Sequence, residues 1–208
     1  MLKSFLKLAS IAAVAAVCLV LPAQAADKGE LLRNANRTVD HRRSDSAFGA
    51  ARNMLRDARA VYIVPKLIKG DFIFGAEGGS GVLLHRTGKG WSTLRFYDMG
   101  SASFGLQIGL EQAELVFIIN SDRALKGIEG GNFKIGANAG ITVVTLSSGA
   151  EGATTARGGD IVVWTSGTGA YGGLTVNGSI IKGDDDMNAV PSPGPAATAL
   201  RRNLASIW

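Results

Sequence analysis

RAVYIVPKLIKGDFIFGAEGGSGVLLHRTGKGWSTLRFYDMGSASFGLQIGLEQAELVF, residues 59–117, decides the fold. Its apolar runs are short, at Val61 to Val64, Phe72 to Phe74, Val82 to Leu84 and Leu115 to Ile119, and glycines separate them. Runs of that length, rich in β-branched and aromatic residues and bounded by turn formers, predict strands. The pattern continues at Ile141 to Leu146, Ile161 to Trp164 and Leu174 to Ile181. An aromatic followed by spaced glycines and an apolar run recurs at Phe72, Phe104, Phe133 and Tyr171, which reads as repeated hairpins. No long helical pattern separates these strands, so the expected sheet is antiparallel and curved, or a small barrel, rather than doubly wound and parallel.

Outward from this stretch, the chain turns helical on both sides. Leu31, Leu32, Ala35 and Val39 predict a short helix within a polar lead-in over 26–43. Ala47, Ala51, Met54, Leu55 and Ala58 lie on one arc of a second helix, capped by Ser44 or Asp45 and closed by Val64-Pro65. Arg52, Arg56 and Arg59 flank that arc. They read either as a solvated edge whose stems cover apolar surface, or as a cationic ridge suited to lipid phosphates. Residues 183–195 read as a linker, with Asp184-Asp185-Asp186 as a solvated turn. Ala196 to Trp208 closes the chain as a helix with Leu200, Leu204 and Ile207 on one side. The fold class expected is therefore α+β: N-terminal helices packed on a Gly-rich curved antiparallel sheet or small barrel, with a short C-terminal helix.

Composition agrees with one packed domain. The 208 residues are 46% hydrophobic and include 28 glycines but only 5 prolines, so the glycine serves turns and bulges rather than low-complexity disorder. Lys3 and Lys7 precede an apolar run from Leu8 to Leu21, followed by Pro22 and Ala23-Gln24-Ala25, which predicts a signal peptide over 1–25 cleaved near Ala25. The protein is then expected to be periplasmic or secreted. Loss of the two lysines lowers the formal net charge from +5 to +3, which is mildly basic and does not call for nucleic acid. The single cysteine, Cys18, leaves with the leader, so no disulfide is expected.

Chemistry-bearing motifs are weak. Gly75 to Gly81 lacks Rossmann spacing and runs into Val82-Leu83-Leu84, which is strand, and Gly88-Lys89-Gly90-Trp91 lacks the Ser or Thr of a P-loop. Ser80 does not sit in a G-x-S-x-G elbow, and only His41 and His85 are available as bases. Those two histidines do not make a zinc motif, so no metal and no cofactor is expected. Glu77, Glu111 and Glu114 invite an acid-base reading; the simpler one pairs them with Lys66, Lys69 or Arg86.

Residues 59–117 also resemble the SYLF domain, a lipid-binding family that includes an actin-patch regulator domain of fungi. The landmarks are Ile63, Val64 and Pro65, then Lys69-Gly70, Phe72, Gly75, Gly78, Gly81-Val82, Trp91-Ser92, Phe104-Gly105, Gln107 and Gly109. Phe133 to Gly136, Ala139-Gly140, Tyr171, Gly173 and Gly178-Ser179 extend the likeness, which covers about residues 44–182. The resemblance implies lipid binding through a basic amphipathic N-terminal helix, here Ser44 to Arg59, with Arg52, Arg56 and Arg59 and nearby Lys66 and Lys69 meeting anionic phospholipid or a membrane surface. Thr93, Gly167-Thr168-Gly169 and Asn188 to Pro195 depart from the family pattern, which bears on headgroup choice more than on fold. The alternative it implies is an envelope protein-interaction module, its partner unidentified, without direct lipid binding.

Overall fold

The computed structural model describes residues 28–44, 54–71, 75–88, 90–103, 109–137, 140–147, 158–168, 178–189, 191–192 and 194–207. The expected signal peptide, the Phe72 to Phe74 strand, Arg52, Gly105, Gln107 and Tyr171 lie outside the described residues.

Helix α1 (Lys28–Arg43) is followed by a helical turn α2 over 54–57. Strands β1 (Ala60–Asp71), β2 (Gly75–Thr87), β3 (Gly90–Ser103) and β4 (Gly109–Ile119) come next, then helix α3 (Asp122–Glu129). After them come β5 (Asn132–Lys134), β6 (Val143–Ser147), β7 (Ile161–Thr168) and β8 (Ile180–Gly183), and the helices α4 (Asp185–Ala189) and α5 (Gly194–Ala205). The strands form one sheet in the order β5-β8-β3-β2-β1-β4-β7-β6, antiparallel throughout except for the β6–β7 pair. The α+β expectation holds, with that parallel edge making the sheet mixed.

Each face of the sheet carries a buried core. On one, Val61, Ile63, Val82, Leu84, Phe96, Val116, Ile118, Val162 and Trp164 pack beneath α1 and α5, whose Leu31, Leu32, Ala35, Val39, Leu200 and Leu204 close the core. On the other, Tyr62, Val64, Leu67, Leu83, Leu115, Phe117 and Val163 pack with Ala124 and Ile128 of α3 and with Phe133 and Ile135. Strands covered on both faces read as continuous apolar runs, which is why Val61–Val64 and Leu115–Ile119 lack alternation.

One row of register-paired side chains sets the position of α1. Phe96, Val82, Ile63, Val116, Trp164 and Leu146 follow one another across six strands. Lys28 at the start of α1 lies over the Phe96 ring, 4.9 Å from its centroid, and Arg42 at its end lies over the Trp164 ring at 5.0 Å. The helix therefore crosses the strands along this row as a beam.

Pro65 sits in β1, a central strand, where proline lacks the N–H that a ladder needs. The chain resolves this with a bulge: register shifts between Ile63 and Ile68 against β2, and between Val64 and Leu67 against β4. Gly79 and Gly81 of β2 accommodate it. A Cβ on Gly79 would sit 2.5 Å from the Lys66 carbonyl oxygen, and one on Gly81 would sit 2.5 Å from Tyr62 Cε2.

Two elements were not foreseen in the sequence, and two local expectations are corrected. β3 forms a full strand although its sequence mixes polar and apolar residues, because Leu94 and Phe96 serve one core and Tyr97 and Met99 the other. α3 was not expected; Ser121 caps it by accepting from the Ala124 N–H at 3.2 Å. The aspartate run belongs to a short helix and not only to a solvated turn, since Asp184 accepts from the Met187 N–H at 2.8 Å and Met187 is buried. Finally, the second helix stops at residue 57, before Arg59. The Arg59 N–H donates to the Ile119 carbonyl at 2.8 Å and its own carbonyl accepts from Arg86, so its backbone already belongs to the sheet.

Candidate functional site

The cations singled out in the sequence fall at two ends of β1. Arg56 in α2 and Arg59 at the entry to β1 are exposed at one end. Lys66 is exposed at the bulge, and Lys69 lies further along β1, its backbone in register with Glu77 on β2 and Glu111 on β4. At about 3.3 Å per strand residue, Arg59 and Lys66 are roughly 20 Å apart. Arg56 and Arg59 therefore lie apart from Lys66, and Arg52 lies outside the described residues.

At the first end, Arg86 of β2 organises the backbone. Its Nη2 donates to the Arg56 carbonyl at 2.8 Å and to the Leu55 carbonyl at 3.4 Å, covering acceptors left open where the helix ends. Its guanidinium stacks over the Trp91 ring at 4.9 Å, so the landmark tryptophan is a buried platform. Burial lowers the Arg86 pKa and the Asp57 carboxylate opposes that shift. Arg59 Nε lies 3.3 Å from Asp122 Oδ1, with both side chains more than half exposed. An ion pair in that setting is open to competing anions and to salt.

The acid-base candidates separate. Ser80 donates to Asp98 at 2.8 Å, while His41 Nδ1 lies 3.1 Å from Glu114 Oε2 and His85 Nε2 lies 3.3 Å from Glu129 Oε1. The contacts of Ser80 and of the two histidines thus go to different carboxylates, and Glu114 pairs with His41 and Thr38. Among the described residues no cluster of His, Cys, Asp or Glu is placed to hold a metal ion, and no helix is long and apolar enough to cross a membrane.

Several family landmarks serve the backbone. Gly136, Gly140 and Gly178 have φ of 79°, 77° and 91°, in the left-handed region that favours glycine. Gly75, Gly78 and Gly81 lie in β2, Gly70 in β1 and Gly109 in β4. Sequence reasoning overlooked Arg37 of α1, which is exposed and donates to Asn34 at 3.0 Å. Its i, i+4 spacing from Arg33 was the available signal.

Comparison with known proteins places these features in a family. Residues 100–190 match the Ysc84 model, described as Las17-binding protein actin regulator. The chain is 29% identical over 163 residues to LAS seventeen-binding protein 3 of Saccharomyces cerevisiae, covering 74% of this chain and 35% of the relative. It is 31% identical over 133 residues to Protein YSC84 of the same yeast, covering 62% and 28%, and 28% identical over 164 residues to human SH3 domain-containing YSC84-like protein 1, covering 77% and 47%. It thus spans less than half the length of these curated relatives. No solved structure matches. By these matches the chain carries a SYLF (Ysc84) domain and is homologous to the Ysc84 and LAS seventeen-binding proteins.

Proposed function

We propose that this is an exported, non-enzymatic protein that binds anionic phospholipid through exposed cations at the edge of its β domain. One observation carries the reading: Arg56, Arg59 and Lys66 all face solvent, and the partner of Arg59, Asp122, is itself 69% exposed. Guanidinium groups so placed can exchange a weak surface pair for lipid phosphates, each near-surface cation adding on the order of 1 kcal/mol. The test is sedimentation of the mature protein with phosphatidylglycerol or phosphatidylcholine vesicles. Salt-sensitive binding to the former, weakened by Arg56→Glu with Arg59→Glu, is expected; equal binding to both lipids would defeat the reading.

A second reading is a protein-interaction module without direct lipid binding. It rests on the matched family's description as a Las17-binding protein actin regulator. A stoichiometric protein partner that stays bound to the purified chain after detergent extraction, with no vesicle binding, would favour it.

A further inference from the structure

Among the described residues, Ile68 and Ile180 are the large aliphatic side chains that stay exposed, at 37% and 42%. They are not scattered. Ile180 pairs with Gly100, Gly100 with Gly78, and Gly78 with Ile68, so the four form one row across β8, β3, β2 and β1. Leu67 and Ile181, their chain neighbours, face the α3 side, so this row faces the α1 side. The two isoleucines stand about 14 Å apart, at about 4.8 Å per strand, with two glycines between them. A Cβ on Gly78 would touch nothing nearer than the Met99 carbonyl at 3.8 Å.

This row runs alongside α1. Gly100 lies four residues beyond Phe96 on β3, about 13 Å from the line that α1 covers. Thr38 and His41 of α1 reach Glu114 of β4, which lies between that line and the row, so this flank of the helix faces the trough. Arg37 lies on the same flank, one turn before His41.

We propose that this trough is an acyl-chain subsite, in which one hydrocarbon chain of an anionic phospholipid lies on the glycine floor between Ile68 and Ile180. The inference rests on the lipid-binding reading and extends it. The floor suits a hydrocarbon because its strands are hydrogen-bonded to one another on both sides, so an apolar guest covers backbone without orphaning donors. The rim suits a phosphate: Arg37, Lys66 and Lys182 are exposed around it. Two acids border the trough: Asp98 accepts from Ser80 and faces Lys182, and Glu114 accepts from Thr38 and pairs with His41, which leaves Arg37 and Lys66 as the cations that meet the phosphate.

The experiment titrates the full mature chain with monomeric dioctanoyl phosphatidylglycerol and with its headgroup alone, glycerophosphoglycerol. Wild type should bind the acylated probe and not the headgroup at the same concentration. Gly78→Leu puts a side chain on the floor from a Cβ that meets only the Met99 carbonyl at 3.8 Å, and Ile68→Asp removes one wall from an exposed position; each should weaken the acylated probe by about tenfold. Both variants should keep the wild-type melting temperature within a few degrees and still sediment with phosphatidylglycerol vesicles, whereas Arg56→Glu with Arg59→Glu should lose sedimentation and keep the probe. Unchanged probe affinity in Gly78→Leu would overturn the subsite while leaving the lipid reading intact. Failure of wild type to bind either vesicles or probe would remove both. A wild-type dimer that Gly78→Leu dissociates, with probe binding unaltered, would make the trough a self-interface and overturn the proposal.

Discussion

His41 Nδ1 lies 3.1 Å from Glu114 Oε2 while Thr38 Oγ1 donates to the other oxygen of the same carboxylate at 2.9 Å, so one glutamate on β4 fastens the end of α1 to the sheet. The two contributions differ in weight. Thr38 is fully buried, whereas His41 is 65% exposed. Glu114→Ala strands a buried hydroxyl and should cost about 1–2 kcal/mol, while His41→Ala should cost about 0.5 kcal/mol or less. Urea denaturation of both variants and of the double mutant would measure this; an equal loss in the two single variants would contradict it.

Arg86 joins α2, β1 and Trp91, and its geometry needs a planar fork. Arg86→Lys keeps a charge but cannot serve two carbonyls and a ring together. The expected loss is about 1–2 kcal/mol of stability. The tryptophan fluorescence of the folded state should also change, since Trp91 loses its stacking partner. A wild-type spectrum would speak against the stack.

The glycines of β2 should divide sharply. Gly79→Ala and Gly81→Ala force a Cβ to 2.5 Å from the Lys66 carbonyl and the Tyr62 ring respectively, and overpacking of this kind costs about 1–3 kcal/mol. Gly78→Ala makes only an ordinary contact, 3.8 Å from the Met99 carbonyl, and should leave thermal stability unchanged or slightly raised. Melting temperatures of the three variants decide the matter.

Asp160 supplies a pH dependence with a definite sign. Hydrogen bonds from Ser121, from the Thr142 N–H at 2.8 Å and from Arg123 at 3.2 Å lower its pKa from the ordinary 3.8. A carboxylate depressed on folding contributes stability that is present above its unfolded value and is lost as pH falls through the folded one. Asp160→Asn should therefore destabilise the protein by about 1–2 kcal/mol at neutral pH, with the gap to wild type closing below pH 3.8. A gap that widened in acid would refute the assignment.

How far the fold could be read in advance varied with how each segment is buried. Leu31, Leu32, Ala35 and Val39 announced α1 because a helix lying on a sheet hides one stripe only. Val61 to Val64 and Ile161 to Trp164 announced strands because both of their faces are covered. β3 was hidden, since Arg95 and Asp98 are exposed and interrupt the apolar pattern. α3 offered only two turns, with Ala124, Leu125 and Ile128 at helical spacing and Gly127 among them where the Phe133 ring needs room. The parallel β6–β7 pairing has no local signature, because long-range register depends on what lies between the strands.

The candidate site was less legible. Exposure of Arg56, Arg59 and Lys66 agrees with their charge, but their separation along β1 follows from the helix ending before Arg59, where strand pairing overrides helical spacing. The row of Ile68, Gly78, Gly100 and Ile180 depends on register across four strands and could not be assembled from any single stretch.

Helix α5 reaches back to α1: Arg43 donates to the Asn203 carbonyl at 2.9 Å, across 160 positions of chain, and Leu200 and Leu204 finish the core beneath both helices. Closure of that core must wait until the whole β domain has been made, so a growing polypeptide carries a bare oily surface for most of its synthesis. Such a chain has reason to be escorted by a chaperone, and shortening it from the far end should leave a sticky, protease-sensitive product rather than a smaller working one.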